Sequence, residues 1–142
     1  VPTLVDVNVL IAAFDSDHDH HAAARAAIED LVTQPSQLAL TSSVLVSTMR
    51  VLTQPHALVR GIDSNDVAAF LDELIEHPGS MRVEPSARFW TLFRATCAHD
   101  GITGKLVPDA ALAALAIEHG FELLSFDHDF SRFPDLRWRE PQ

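Results

Sequence analysis

The chain has 142 residues, 47% hydrophobic and 21% charged, with a net charge of −10 and a pI near 5.0. That is enough for one domain, residues 1–142, with a real core, and it is too acidic for a protein that holds nucleic acid by phosphate neutralisation alone. No apolar stretch approaches the length of a membrane span, the N-terminus has no basic segment followed by an apolar run, and Cys97 has no partner for a disulfide; together these predict a cytoplasmic protein.

"LVDVNVLIAAFD" reads as a strand running into a helix, with Asp6 and Asn8 set in an apolar run. A buried carboxylate there costs several kcal/mol unless something compensates it. "SDHDHHAAARAAIEDLV" predicts a helix capped by Ser16 or Asp17, with His18, His20 and His21 as its solvated start. "LALT" predicts a short strand and "SSVLVSTMRVLT" a helix carrying Arg50; "QPHALVRG" reads as irregular. "DSNDVAAFLDELIEH" is the clearest helix, with Val67, Phe70, Leu71, Leu74 and Ile75 on one face. "MRVE" predicts a strand. "SARFWTLFRATCAHD" predicts a helix whose stripe of Phe89, Trp90, Phe93 and Cys97 enters the core. "GITGKLV", with Lys105, reads as a loop, and "PDAALAALAIEHG" as a helix with Pro108 in its first turn and Gly120 just past its end. "FELLSF" and "LRW" predict strands on either side of the loop "DHDFSRFP".

Strands alternating with helices predict an α/β sandwich with a mostly parallel sheet of about five strands. Ligands of such sheets sit outside the carboxyl ends of the strands. Asp6 lies near the end of the first strand, Asp127 directly follows the strand "ELLSF", and Asp109 opens a helix. Crowded carboxylates need shared protons or a cation, and an all-oxygen set favours a hard ion such as Mg²⁺ or Mn²⁺. Each acid also has a plainer use. Asp109 suits the dipole of a helix start, and Asp127 and Asp129 suit a turn.

"LVDVNVLIAAF", "VPDAALAALAIEHG" and "LLSFDHDFSRFP", in this order and at this length, resemble a PIN-domain protein, and more narrowly the VapC ribonuclease toxins of bacterial toxin–antitoxin systems. "DHHAAARAAIE" and the turn around "MRVLTQP" resemble an actinobacterial subgroup of them. The resemblance implies a PIN-like three-layer sandwich and an endoribonuclease that uses Mg²⁺ or Mn²⁺. It implies a homodimer, a structured RNA substrate (tRNA or rRNA) and neutralisation by a VapB-type antitoxin. By position, Asp6, Asp109 and Asp127 match the family's catalytic and metal-holding acids, Asp129 a companion acid, and Asn8 a polar residue supporting the first acid.

One departure stands out. The family supplies a further acid around the second strand and the helix after it, yet residues 31–62 contain no Asp or Glu. The register offers Ser42, Ser43 or Ser47 there instead, with Ser43 and Ser47 as supporting residues. Arg50 and Lys105 are candidate RNA contacts. The missing acid also opens a second reading, a degenerate PIN domain that only binds RNA or antitoxin. An aspartyl-phosphate phosphotransferase fits poorly, because Asn8 stands where its second acid belongs and no lysine follows Lys105.

Overall fold

The computed structural model describes residues 1–55 and 62–142, with Asp100 described by its backbone alone. The irregular stretch expected over "QPHALVRG" lies outside the described residues from position 56 to 61. The strands are β1 (Thr3–Val5), β2 (Leu38–Leu40), β3 (Ser80–Arg82), β4 (Glu122–Leu124) and β5 (Trp138–Arg139). The helices are α1 (Val7–Phe14), α2 (His21–Leu31), α3 (Ser42–Leu52), α4 (Ser64–Glu76), α5 (Phe89–Asp100) and α6 (Val107–His119). Short 3₁₀ turns occupy Gly104–Leu106 and His128–Arg132, inside segments the sequence presented as loops.

All five strands are parallel, in the order β3-β2-β1-β4-β5. Every residue of β1 and β2 is buried, as expected of central strands covered on both faces, while β3 and β5 at the edges are not. From β1 the chain moves to one side of the sheet, and from β4 to the other. The reversal point between β1 and β4 is where open α/β sheets form a crevice at their carboxyl edge. α1 packs against α2 and α3, α3 against α4, and α5 against α6. Among the described residues no helix is long and apolar enough to cross a membrane.

α6 is the deepest helix, with Ala110 and Leu112 to Ala116 all buried. Its alanines let it lie close to its neighbours, and Gly120, at φ 69°, ends it in the left-handed region that glycine adopts without penalty. In α4, Val67 and Leu71 are buried, and Phe70, Leu74 and Ile75 pack against the core beside them. The aromatic stripe of α5 is only partly internal. Phe89, Phe93 and Cys97 pack on the core, but Trp90 is 62% exposed. A helix against one neighbour buries a narrow face, and Trp90 falls outside it.

The start of α2 also differs from expectation. Ser16 and Asp17 do not cap it; the helix opens at His21. Asp15 accepts the N–H of Asp17 at 3.0 Å and His18 Nδ1 accepts the N–H of His20 at 3.0 Å, so residues 15–20 form successive turns. His21 Nδ1 donates to the Ala12 carbonyl at 2.8 Å and ties the turns back to α1. These histidines have specific partners and are more than a solvated helix start.

Candidate functional site

Each acid is placed by a strand end or a helix start. Asp6 is the N-cap of α1: its Oδ1 accepts the N–H of Val7 at 2.7 Å. Its Oδ2 accepts from Ser125 Oγ at 2.7 Å and from Asn8 Nδ2 at 3.3 Å. This is the compensation a carboxylate in an apolar run requires. Burial pushes the Asp6 carboxyl above its ordinary range, the bonds from Ser125 and Val7 pull it back, and nearby Asp127 raises it further.

Ser125, which the sequence reading passed over, joins the two strand ends. It is fully buried. Its hydroxyl donates to Asp6 and accepts from Asn8 Nδ2 at 3.1 Å and from the N–H of Asp127 at 3.0 Å, which uses its donor and both acceptor positions. Asn8 also accepts the N–H of Phe126 at 3.2 Å, so it bridges β1 and β4 as well as supporting Asp6. The available signal was a lone serine at the end of an otherwise apolar strand. Ser125→Ala is expected to leave these groups short of partners and to cost about 1–3 kcal/mol. A lower urea midpoint with an unchanged slope would show it.

Asp127 caps the 3₁₀ turn that follows β4, accepting the N–H of Asp129 at 2.9 Å. Asp109 lies in the first turn of α6. One carboxylate oxygen from each of Asp109, Asp127 and Asp129 lies within 4.8 Å of the others. Asp6 is outside that trio but close enough for its charge to reach Asp109. Asp109 is pushed up to about 6, first by burial, then by the charges of Asp127, Asp6 and Asp129, against a small opposing effect of Arg132. Arg132 Nη2 lies 3.6 Å from Asp129 Oδ1, in an exposed ion pair.

A cleft of about 680 Å³ runs from Asp6 and Asp109 along α3, past Ser42, Ser43, Ser47 and Arg50. Arg50 is exposed and has no ion-pair partner among the described residues. Lys105 is exposed in the 3₁₀ turn before α6 and does not line this cleft. His128, between Asp127 and Asp129 in sequence, is paired with Glu140 at 2.8 Å.

Residues 31–62 bring no acid to this cleft, but a later segment does. Glu84, just beyond β3, lines the same cleft. It accepts the N–H of Ser42 at 2.8 Å and the Ser42 hydroxyl at 2.6 Å, with Thr41 Oγ1 at 3.4 Å. Thr41, the N-cap of α3, makes no side-chain cap of its own, so Glu84 caps that helix from another strand. Arg82 donates to both Glu84, at 3.3 Å, and Ser42, at 2.7 Å. Partial burial acts to raise the Glu84 carboxyl, but the bonds from Ser42 and Arg82 outweigh it and hold the group below its ordinary range. The sequence signal was the acid that closes the predicted strand "MRVE", a strand-end position like those of Asp6 and Asp127. The Glu84 carbonyl accepts from His119 Nε2 at 3.1 Å, and Glu118 accepts the N–H and hydroxyl of Ser86 at 3.1 and 2.6 Å. The last turn of α6 therefore holds the segment that delivers Glu84.

The donors are all carboxylate oxygens, and they meet at close range beside a fourth negative charge. Asp109 accepts no hydrogen bond from any described residue. This is the chemistry of a hard divalent cation site, and the residues present fit one.

The PIN domain family model matches residues 3–136. Ribonuclease VapC43 of Mycobacterium tuberculosis is 37% identical over 137 residues, covering 96% of this chain and 93% of that protein. Among solved structures, VapBC2 from Rickettsia felis bound to a DNA fragment from its promoter superposes with a TM-score of 0.73 at 16% identity, covering 100% of both chains. VapC20 of Mycobacterium tuberculosis, described as a sarcin-ricin loop cleaving toxin, superposes with a TM-score of 0.64 at 19% identity, covering 95% of this chain and 98% of that one. A family match over nearly the whole length and a relative at this identity show that the chain belongs to the PIN-domain family, among the VapC ribonucleases.

Proposed function

We propose that the protein is a divalent-metal-dependent endoribonuclease toxin that hydrolyses phosphodiester bonds in a structured RNA. The observation that carries this reading is the convergence of Asp109, Asp127 and Asp129 oxygens within 4.8 Å at the carboxyl edge of the sheet. Asp109, Asp127 and Asp129 would hold Mg²⁺ or Mn²⁺, with Asp6 adding charge beside them. When bound, such an ion supplies an activated water and neutralises charge on the phosphoryl oxygen. The protein's own part is to preorganise the acids through Ser125 and Asn8, and to offer Arg50 along the cleft to the RNA backbone. A tRNA or rRNA loop is the substrate class, in line with the sarcin-ricin loop activity ascribed to VapC20. A VapB-type antitoxin is the proposed protein partner, since the solved relatives include VapBC complexes, and the active form is proposed to be a homodimer.

The test is inducible expression followed by transcriptome-wide mapping of new RNA 5′ ends. A small set of sharp sites, present with the wild-type chain and absent with Asp109→Asn, is expected. Growth arrest without any new 5′ end would overturn the ribonuclease reading. Calorimetric titration with Mn²⁺ separates the alternatives: a degenerate binding module would show no heat of metal binding.

A further inference from the structure

The histidines of "DHDHH" fall outside the proposed chemistry, and their placement is specific. The His20 ring stacks on Phe126, with centroids 4.5 Å apart and planes 20° apart. His18 extends the run, 5.7 Å from His20. Phe126 is half-buried and fixed by the bond from its N–H to Asn8, the same residue that supports Asp6. Asp127 is the next residue. The stack is therefore attached to the frame of the acidic site. His20 itself is exposed, and neither of its ring nitrogens has a hydrogen-bond partner among the described residues.

We propose that His20, backed by Phe126, is a stacking ledge for an unpaired nucleobase of the RNA next to the cleaved bond. This rests on the ribonuclease reading and adds a specificity-determining residue to it. RNA loops are read mainly by splaying bases onto flat side chains, and imidazole and phenyl rings offer that surface at little entropic cost. Charge separates the roles of the walls. Asp19, directly before His20, is exposed. Its carboxylate disfavours a phosphate beside the ring, whereas a neutral base is not repelled. The backbone phosphates have Arg50 on the α3 side of the cleft instead.

The test uses the full chain and a single-stranded decaribonucleotide bearing one 2-aminopurine, with Ca²⁺ present, in wild type, His20→Ala, His20→Tyr and His20→Lys. Binding by the wild type is expected to quench the fluorescence. His20→Ala should lose the quench and bind about tenfold more weakly. His20→Tyr should keep both, and His20→Lys should behave as His20→Ala. Equal quench and affinity in wild type and His20→Ala would overturn the ledge. So would rescue by lysine but not by tyrosine, which would mark a phosphate contact. Either result alongside sharp cleavage sites in cells leaves the ribonuclease reading standing. A wild-type chain that neither binds this RNA nor cleaves any in cells overturns both.

Discussion

Asp109→Asn is expected to abolish RNA cleavage and, in the absence of metal, to raise the melting temperature at neutral pH. Asp109 is pushed up to about 6 from its ordinary value of 3.8, so its ionised form is worse off in the folded protein than in the unfolded chain. The sign follows directly. The native state holds the Asp109 proton more tightly, so this group favours folding fully below the unfolded value. That contribution is lost as pH rises through about 6. Metal-free wild type should therefore gain stability on acidification from pH 7 towards 5. Asparagine removes the charge and with it the penalty. Asp109 is only half-buried, and solvent screens part of the repulsion, so the gain is a few degrees. Mn²⁺ should reverse the order by stabilising wild type and not the variant. Cleavage should fall by about 100-fold or more, since even residues that only orient a metal's ligands are worth 10–100-fold. Thermal scans at pH 5 and 7.5, with and without Mn²⁺, read the stability side. A variant that still melts higher with Mn²⁺ and still cuts RNA would remove Asp109 from the site.

Gly79→Ala is expected to be the most damaging single-methyl change outside the acidic cluster. A Cβ at Gly79 would lie 2.5 Å from the Cα and carbonyl oxygen of Val32 and 2.7 Å from its Cβ. Two of those atoms are backbone and cannot swing away. Gly79 is also fully engaged: its carbonyl accepts the N–H groups of Gln37 and Leu38, and its own N–H donates to His77 Nδ1 at 2.9 Å. Relieving the clash means parting the end of α2 from the start of β3, which breaks the bonds that align β2 with β3. Glu84 is delivered by that strand. A loss of about 3 kcal/mol is expected, or roughly 10 °C in melting temperature. A melting temperature within 2 °C or so of wild type would show that the two segments are free to separate.

Much of the fold was legible because its signals are local. Short runs with apolar residues, separated by helical periodicity, mark the strands, and all of the expected helices form. The acids after β1 and β4 and at the start of α6 could be read in the same way, since a carboxylate at the end of an apolar run needs a reason to be there. Boundaries were less legible. Histidine and aspartate hydrogen bonds across residues 15–20 hold a set of turns where composition pointed to helix, and Trp90 lies off the narrow face that α5 buries.

The amino-acid sequence by itself determined the alternation of elements and the mostly parallel sheet, and it marked Asp6, Asp109 and Asp127 as candidates, because hydrophobic period and strand-end charge are properties of neighbours along the chain. Only the tertiary structure decided which groups meet. It brought Asp129 into contact range of Asp109 and Asp127, and it set Ser125 between Asp6 and Asn8. It carried Glu84 from the end of β3 to Ser42, 42 positions away, where the chain itself has no acid. It laid His20 on Phe126. The physical reason is the order of the sheet. β1 lies between β2 and β4, and β2 lies next to β3, so the parallel strands end along one edge and residues distant in the chain become neighbours there. No pattern within a single segment encodes that adjacency.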